Sequence, residues 1–299
     1  MCFDYLVYCP VIFVGETMVQ APCASETRLL STYTVDAAAL RHDLATMEAF
    51  PYTNTYSEFA CGAWKSCAVW NGSGDGGQAS LDAYVGPALL TELGEQLPYV
   101  EKLVGRVFDS SLLRYGRIAR LTPGSALVPH RDYLELESNL IRIHLPLETD
   151  DTCLNSHENV IYHMNVGEIW FLDATKTHSA LSSWNRDRIH LVLDFKADSI
   201  DKIMISDPSI TGISTERDIA RPPMTAAESE AFITAGALMT HATHRDFLKI
   251  AITVLFTRNV EPAEVFTLFE AAAERSGKPD VMEAVKPMRA YFLHTRPAA

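Results

Sequence analysis

Between residues 111 and 195 short apolar runs alternate with turn-forming residues, and this alternation constrains the fold more than any other feature of the sequence. Turns are expected at 123–124, 150–151, 165–167 and 185–187. Several short strands at this spacing are typical of an all-β barrel or a double-sheet jelly roll. The expected strands are 112–121, 126–129, 140–147, 160–164, 168–172, 178–182 and 188–195.

Helical patterns flank this β-rich region on both sides. Before it, helices are expected at 35–49, 81–93 and 99–108, and an extended aromatic segment at 58–70. After residue 222 a small helical bundle is expected, in which one helix face carries Phe247, Ile250, Ala251, Val254 and Leu255. We therefore predict an α+β chain with a double-stranded β-helix (jelly-roll, cupin-like) core, an N-terminal helical cap and a C-terminal helical domain.

The domain boundaries follow from the same pattern. We expect an N-terminal extension at 1–32, the jelly-roll domain with its cap at 33–221 and the helical domain at 222–299. The apolar run 5–14 is too short to span a bilayer, and no positive charge precedes it. A tail or an edge strand is favoured there, and a cleaved signal or a weak targeting segment is the alternative. The glycine-rich segment 72–77 formally matches GxGxxG, but no βαβ unit surrounds it, so a loop is expected.

Composition narrows the functional classes. The 299 residues are 47% hydrophobic, which is enough for a packed core, and 38 acidic against 25 basic residues give a net charge of −13. This balance argues against a general nucleic-acid binder, and no run is long enough for a membrane helix. The six cysteines include no CxxC pair, so a cysteine zinc site is not expected and a cytoplasmic location is favoured. A homodimer is left open.

The strongest chemical signal is His130-Arg131-Asp132, followed by His178 and, ten residues later, Arg188. Residues i and i+2 of a strand point to the same side, so His130 and Asp132 can meet at one point. A distant strand can supply a third ligand, and two imidazoles with one carboxylate suit non-haem Fe(II) with open positions. Arg188 lies in an apolar strand, where a carboxylate partner is expected. The alternatives are a hydrogen-bonded core pair beside a surface histidine, and a structural salt bridge at Arg188.

Four segments around these residues resemble the bacterial L-proline cis-hydroxylases of the proline 3-hydroxylase type. These enzymes belong to the aspartyl/asparaginyl β-hydroxylase group of Fe(II)/2-oxoglutarate dioxygenases. The resemblance is carried by PHRDYLELE (129–137), RIHLPL (142–147), HMNVGEIWFLDATKTHSA (163–180) and DRIHLVLDF (187–195). YSEFACGAWK (56–65) and the helical tail are also similar, so the resemblance covers roughly residues 33–295.

The resemblance implies specific roles. His130, Asp132 and His178 would hold Fe(II), and O2 would react there. Arg188 would pair with the distal carboxylate of 2-oxoglutarate, and His144 would contact its other end. The remaining expected residues concern the substrate, a small free amino acid: Arg142, Arg117 or Arg120 for its carboxylate, and Trp64 and Tyr56 around its apolar part. Strand parity allows only one of Arg117 and Arg120 to face the site, and His190 could line the same face as Arg188.

The implied reaction is hydroxylation of L-proline or a close analogue, with succinate and CO2 as coproducts. Three alternatives stay open at the level of sequence. The same chemistry could act on another free amino acid, such as a branched aliphatic one, and give hydroxylation, desaturation or ring closure. The protein could instead hydroxylate Asp or Asn side chains of other proteins. It could also be a non-catalytic cupin-like binding module, although an intact ligand set argues against this.

Overall fold

The computed structural model describes residues 27–77, 86–132, 140–205, 211–212 and 218–295. Its strands are β1 (Arg28–Thr32), β2 (Ala60–Cys61), β3 (Trp64–Asn71), β4 (Leu89–Leu90), β5 (Leu113–Leu121), β6 (Ala126–Leu127), β7 (Ile141–Glu148), β8 (Cys153–His157), β9 (Val160–His163), β10 (Glu168–Leu172), β11 (His178–Ser182), β12 (Arg188–Phe195) and β13 (Thr211–Gly212). Its α-helices are α1 (Ala37–Met47), α2 (Pro98–Val107), α3 (Ile200–Ile203), α4 (Ala226–Ala235), α5 (His244–Thr257), α6 (Pro262–Ser276), α7 (Pro279–Val285) and α8 (Met288–Leu293).

The strands form two antiparallel sheets. The larger sheet has the order β13-β1-β10-β7-β12-β5-β3-β4, and the smaller has the order β2-β6-β11-β8-β9. At the centre of the larger sheet, β12 pairs with β5 from Arg188 opposite Leu121 to Phe195 opposite Leu113. The connections cross between the sheets, as they do in a jelly roll. The predicted α+β jelly-roll architecture is confirmed.

Strand β12 shows why the two faces of the larger sheet differ. All eight of its residues are buried, so both faces of the strand are covered. Ile189, Leu191 and Leu193 join the main apolar core, whereas Arg188 and His190 line a cavity between the sheets. The period-2 alternation of a strand separates these two sets. One face thus packs on the core, and the other supplies polar groups to an enclosed space.

The N-terminal cap packs against the core face. The Asp36 carboxylate caps α1 by accepting hydrogen bonds from the backbone N–H groups of Ala38 and Ala39. Helix α2 begins at Pro98 and buries Val100, Leu103, Val104 and Val107. The predicted helices at 35–49 and 99–108 are therefore confirmed, apart from their ends.

The helix predicted at 81–93 is wrong in its described part. Residues 81–85 lie outside the described residues, Leu89 and Leu90 form β4, and a short 3₁₀ turn follows at Gly94–Gln96. Leu90 pairs with Trp70 and Leu89 with Asn71 at the end of β3. Pairing with a neighbouring strand has overridden the local helix propensity of this leucine-rich segment.

Strand β8 and the buried face of α5 also differ from the prediction. No strand was expected at 153–157, yet β8 pairs with both β9 and β11. In α5, Ala251 and Leu255 are buried as expected, but Ile250 is 52% exposed. Leu248, Ile252 and Phe256 occupy the buried side instead. Apolar residues lie on most sides of this helix, so tertiary packing, and not the spacing of the apolar residues, determines which side is buried.

The start and end of α6 follow the sequence signals. Pro262 is its first residue and Gly277 ends it with a positive φ of 66°.

The segment 72–77 is a loop, as expected. Strand β1 lies between β13 and β10, and residues 1–26 of the expected N-terminal extension lie outside the described residues. In the described part of the chain, none of the helices combines the length and apolar character needed to cross a membrane.

Gly236 allows α4 and α6 to approach closely. A Cβ atom at this position would lie 2.1 Å from the backbone oxygen of Ala272 in α6. We expect Gly236→Ala to lower the free energy of unfolding by about 1–3 kcal/mol, because the backbone of α6 must move. The matched control is Gly105→Ala in α2, where an added Cβ meets no atom within 4 Å. This control should be neutral or stabilising by up to about 1 kcal/mol. Denaturant unfolding measures the stability of both variants. If they were equally stable, the packing argument would be contradicted.

Candidate active site

A backbone bridge between the two sheet edges assembles the predicted metal ligands. His130 follows β6 and forms an antiparallel bridge with His178, the first residue of β11. His130 N donates to His178 O at 3.0 Å, and His178 N donates to His130 O at 2.9 Å. The backbone N–H of Asp132 donates to Ala174 O at 2.8 Å, in the loop that leads to His178. Residues far apart in sequence are thereby fixed side by side.

The three side chains converge on one point. The ligand atoms of His130, Asp132 and His178 all lie within 4.8 Å of one another. His130 Nε2 is 3.6 Å from Asp132 Oδ1, and His178 Nε2 is 3.5 Å from Asp132 Oδ2. The site therefore offers two imidazole nitrogens and a carboxylate, the donor set that suits a divalent iron with open positions.

Hydrogen bonds behind the imidazoles prepare them to bind a metal. His130 Nδ1 lies 2.7 Å from Val128 O, and His178 Nδ1 lies 3.0 Å from Lys176 O. A carbonyl oxygen can only accept, so each Nδ1 carries the proton and each Nε2 keeps its lone pair. Such contacts fix the tautomer and orientation of a metal-binding histidine. The donor set therefore fits a metal ion without rearrangement of the protons.

Arg142 controls the charge of the carboxylate ligand. Its Nη1 contacts Asp132 Oδ2, while Nε and Nη2 donate to Asp194 at 2.7 and 3.0 Å. Burial raises the pKa of Asp132, but Arg142 and the two imidazoles outweigh burial and hold this pKa well below its ordinary value. Asp132 is thus an anion across the physiological range. Arg142 lines the cavity, but much of its guanidinium already pairs with protein carboxylates.

The cavity brings together all but one of the predicted site residues. The residues that line it include Tyr56, Trp64, Arg117, His130, Asp132, Arg142, His144, His178, Arg188 and His190. Arg120 is the exception, because it lies three positions from Arg117 and so on the opposite face of β5. Its Nε donates to Asp187 at 2.9 Å, its Nη2 donates to Glu48, and its guanidinium lies over the Tyr52 ring. The structure thus places Arg120 outside the cavity.

Arg188 lies at the part of the cavity formed by β12 and β8. It is only 3% exposed, and its Nη2 donates to Asn155 Oδ1 at 2.5 Å and to His190 Nδ1 at 3.2 Å. Among the described residues no carboxylate forms an ion pair with it, although a carboxylate partner was expected. Burial lowers the pKa of Arg188 to about 10, so the guanidinium is still charged at neutral pH. A buried cation without an anion favours an external anionic partner.

Sequence reasoning missed the polar residues of β8 and β9 that line the same cavity. Asn155, Ser156 and Tyr162 are all buried there. Within the described chain, Asn155 Nδ2, Ser156 Oγ and the Tyr162 hydroxyl have no hydrogen-bond partner. The only sequence signal was the pattern CLNSHENVIYH itself, in which polar residues interrupt an apolar run. Unpartnered buried polar groups of this kind commonly mark the place of a ligand or a water.

The fold and the site together define a class of protein. A jelly roll that holds two histidines and an aspartate at one point, with a buried unneutralised arginine in the same cavity, is a non-haem iron dioxygenase scaffold. Residues 34–198 match the family described as aspartyl/asparaginyl beta-hydroxylase. Residues 201–299 match the family described as L-proline 3-hydroxylase, C-terminal.

Full-length relatives agree with this assignment. The chain is 33% identical over 272 residues to the L-proline cis-4-hydroxylase of Rhizobium meliloti (strain 1021), covering 90% of this chain and 96% of the relative. It is 28% identical over 278 residues to L-proline cis-3-hydroxylase 2 of a Streptomyces species, with the same coverage. The chain belongs to the aspartyl/asparaginyl β-hydroxylase family, and it is an enzyme of the dioxygenase class.

Proposed function

We propose that this enzyme hydroxylates a free amino acid, L-proline or a close analogue, with Fe(II) and 2-oxoglutarate. The observation that carries the proposal is the shared cavity, in which the His130, Asp132 and His178 ligand set faces the same enclosed space as Arg188. The relatives that match nearly the whole chain are named as L-proline hydroxylases, which supports the substrate class.

His130, Asp132 and His178 would hold the iron. When bound, iron and 2-oxoglutarate supply the oxidation: one O2 converts 2-oxoglutarate to succinate and CO2 and a substrate C–H to C–OH. The chain's own contribution is a fixed anionic Asp132 and two imidazoles whose protons are already directed away from the metal. Three side-chain ligands leave the other positions of an octahedral ion open for small ligands.

The cavity also contains groups suited to two carboxylate-bearing molecules. Arg188 would pair with the distal carboxylate of 2-oxoglutarate, and His144 would contact its other end. Arg117 and Arg142 would attract the carboxylate of the amino acid, because arginine matches a planar carboxylate with two parallel N–H groups. Trp64 lines the cavity with an indole N–H that is buried and has no partner in the described structure. Tyr56 also lines the cavity and would pack with Trp64 around an apolar ring.

Positioning is the main contribution of this cavity to catalysis. Arg117, Arg142 and Arg188 are mounted on the paired strands β5, β7 and β12, whose geometry is fixed by backbone hydrogen bonds. Backbone hydrogen bonds also fix His130, Asp132 and His178. A substrate held at its carboxylate presents a fixed carbon to the metal, and a displacement of about 1 Å can cost roughly 100-fold in rate.

The test is the coupling of cosubstrate turnover to the amino acid. Purified enzyme with Fe(II), 2-oxoglutarate and O2 should release succinate rapidly only when L-proline or a close analogue is added. Mass analysis should show a gain of one oxygen in the amino acid. Branched aliphatic amino acids and an Asp- or Asn-containing peptide serve as comparisons. A product lacking two hydrogens would indicate desaturation or ring closure instead. Succinate release that no free amino acid stimulates would contradict the proposal.

A further inference from the structure

We propose that Asn155 and His190 are positioning residues that hold Arg188 from one side while leaving its positive charge unneutralised. The inference rests on the proposed function, since the anion that would pair with this charge is the distal carboxylate of 2-oxoglutarate. Neither residue would touch the reacting atoms. Their role is to supply neutral hydrogen-bond acceptors where most buried arginines have an acidic partner.

The contrast with two other buried arginines carries the argument. Arg142 pairs with Asp194 and Asp132, and Arg120 pairs with Asp187 and Glu48. Arg188 is buried as deeply as Arg142, yet its two acceptors are an amide oxygen and an imidazole nitrogen. Removing a charge from water without an anion is costly. In a site with this arrangement, the binding free energy is most favourable when the ligand brings a carboxylate.

The hydrogen-bond chemistry fixes His190 in one neutral form. A guanidinium has only donors, so His190 Nδ1, 3.2 Å from Arg188 Nη2, must be an acceptor and the proton must sit on Nε2. His144 Nδ1 lies 3.3 Å from the same His190 nitrogen. The single lone pair of this nitrogen can be directed to one donor at a time, and the shorter of the two contacts is the one to Arg188. Burial lowers the pKa of His190, and the charge of Arg188 lowers it further, so the ring stays neutral.

The remaining N–H groups of the guanidinium are left for a ligand. Both acceptors contact Nη2, and Nε of Arg188 has no partner among the described residues. The Tyr162 hydroxyl, on the residue that pairs with Asn155 across the sheet, is also unpartnered within the described chain. An N–H donor of Arg188 and the O–H donor of Tyr162 would together satisfy the oxygens of a carboxylate. The N–H groups of Arg188 can only donate, so this place does not suit an ammonium.

The decisive variant is Asn155→Asp, which keeps the size of the side chain and adds a carboxylate beside Arg188. A merely structural role predicts that this change is harmless or stabilising, because it completes an ion pair. Our inference predicts the opposite for ligand binding. The new anion neutralises Arg188 and repels the incoming carboxylate, so 2-oxoglutarate should bind more than about tenfold more weakly. Thermal stability should be unchanged or higher.

The measurement is calorimetric titration of 2-oxoglutarate into the full-length protein loaded with Mn(II), without turnover. Mn(II) affinity is measured first, and it should be the same in wild type and variant. Asn185→Asp is the control, since it adds the same charge at an exposed turn residue and should leave the Kd unchanged. In steady state, KM for 2-oxoglutarate should rise more than kcat falls.

A second pair of variants keeps the inference falsifiable if Asn155→Asp does not fold. His190→Asn retains an acceptor close to the position of Nδ1 and should bind 2-oxoglutarate within a few-fold of wild type. His190→Leu removes the acceptor and should bind it more weakly than His190→Asn. Equal affinity in wild type, Asn155→Asp and His190→Leu would overturn the inference and leave the proposed function intact. A wild-type protein that binds Mn(II) but no 2-oxoglutarate would overturn the proposed function itself.

Discussion

Replacing His178 by alanine is expected to abolish both metal retention and coupled succinate release. His178 is one of the three proposed metal ligands, and its backbone bridge to His130 would survive while the imidazole is lost. The loss of activity should exceed the roughly 10- to 100-fold typical of outer-shell partners, because a ligand itself is removed. Metal content by elemental analysis after anaerobic loading and succinate release are the two measurements.

The control for this experiment is His42→Ala, which removes an exposed histidine of α1. It should retain one metal per chain and wild-type turnover. Circular dichroism should show that both variants are folded, since the reciprocal backbone hydrogen bonds between residues 130 and 178 do not need the side chain. If His178→Ala turned over at the wild-type rate with a full complement of metal, the proposed metal centre would be refuted.

The second large effect is expected at Arg188. Arg188→Met keeps an unbranched side chain of similar reach but removes the charge, so the distal carboxylate of 2-oxoglutarate would be buried without a partner. Truncating one member of a buried charge pair costs about 2–5 kcal/mol, which corresponds to at least roughly 30-fold in Kd. Arg188→Lys should lie between wild type and Arg188→Met, because lysine restores the charge but not the planar pair of N–H groups.

Arg120→Met is the matched control for Arg188. Arg120 lies on the adjacent strand β5 but outside the cavity, where it pairs with Glu48 and Asp187. Its replacement should affect unfolding more than 2-oxoglutarate binding. Calorimetry on the Mn(II)-loaded proteins separates the two cases. Our assignment of the cosubstrate pocket would be wrong if Arg120→Met weakened 2-oxoglutarate binding as much as Arg188→Met did.

Much of the fold could be predicted because its strands carry strong local signals. The run RIHLVLDF is rich in β-branched and apolar residues, and the observed β12 has the predicted bounds, Arg188–Phe195. Strand β8 could not be predicted in the same way, because CLNSH contains residues that favour turns. Its strand conformation comes from pairing with β9 and β11. The prediction for the leucines of β4 was wrong in the opposite direction. Their composition favours a helix, but they pair with the end of β3 instead.

The residues of the site can also be divided into those that the sequence could predict and those that it could not. His130 and Asp132 form a local motif, and His178 with Arg188 could be added from the flanking segments that resemble known hydroxylases. Strand parity correctly separated Arg117, which lines the cavity, from Arg120. Asn155 and the Asp194 partner of Arg142 could not be found, because their importance lies only in which arginine each one faces. Such partnerships depend on register between strands that are distant in sequence.

The backbone of the metal-binding segment also depends on the end of the helical region. The N–H of Arg131, between the two ligands His130 and Asp132, donates to the carbonyl of Phe292 in α8 at 3.0 Å. The Phe59 ring contacts the same two segments. Its centroid lies 4.8 Å from that of the His130 ring and 5.4 Å from that of the Phe292 ring. During synthesis on the ribosome Phe292 emerges after Arg131, so this hydrogen bond forms only once α8 has been made.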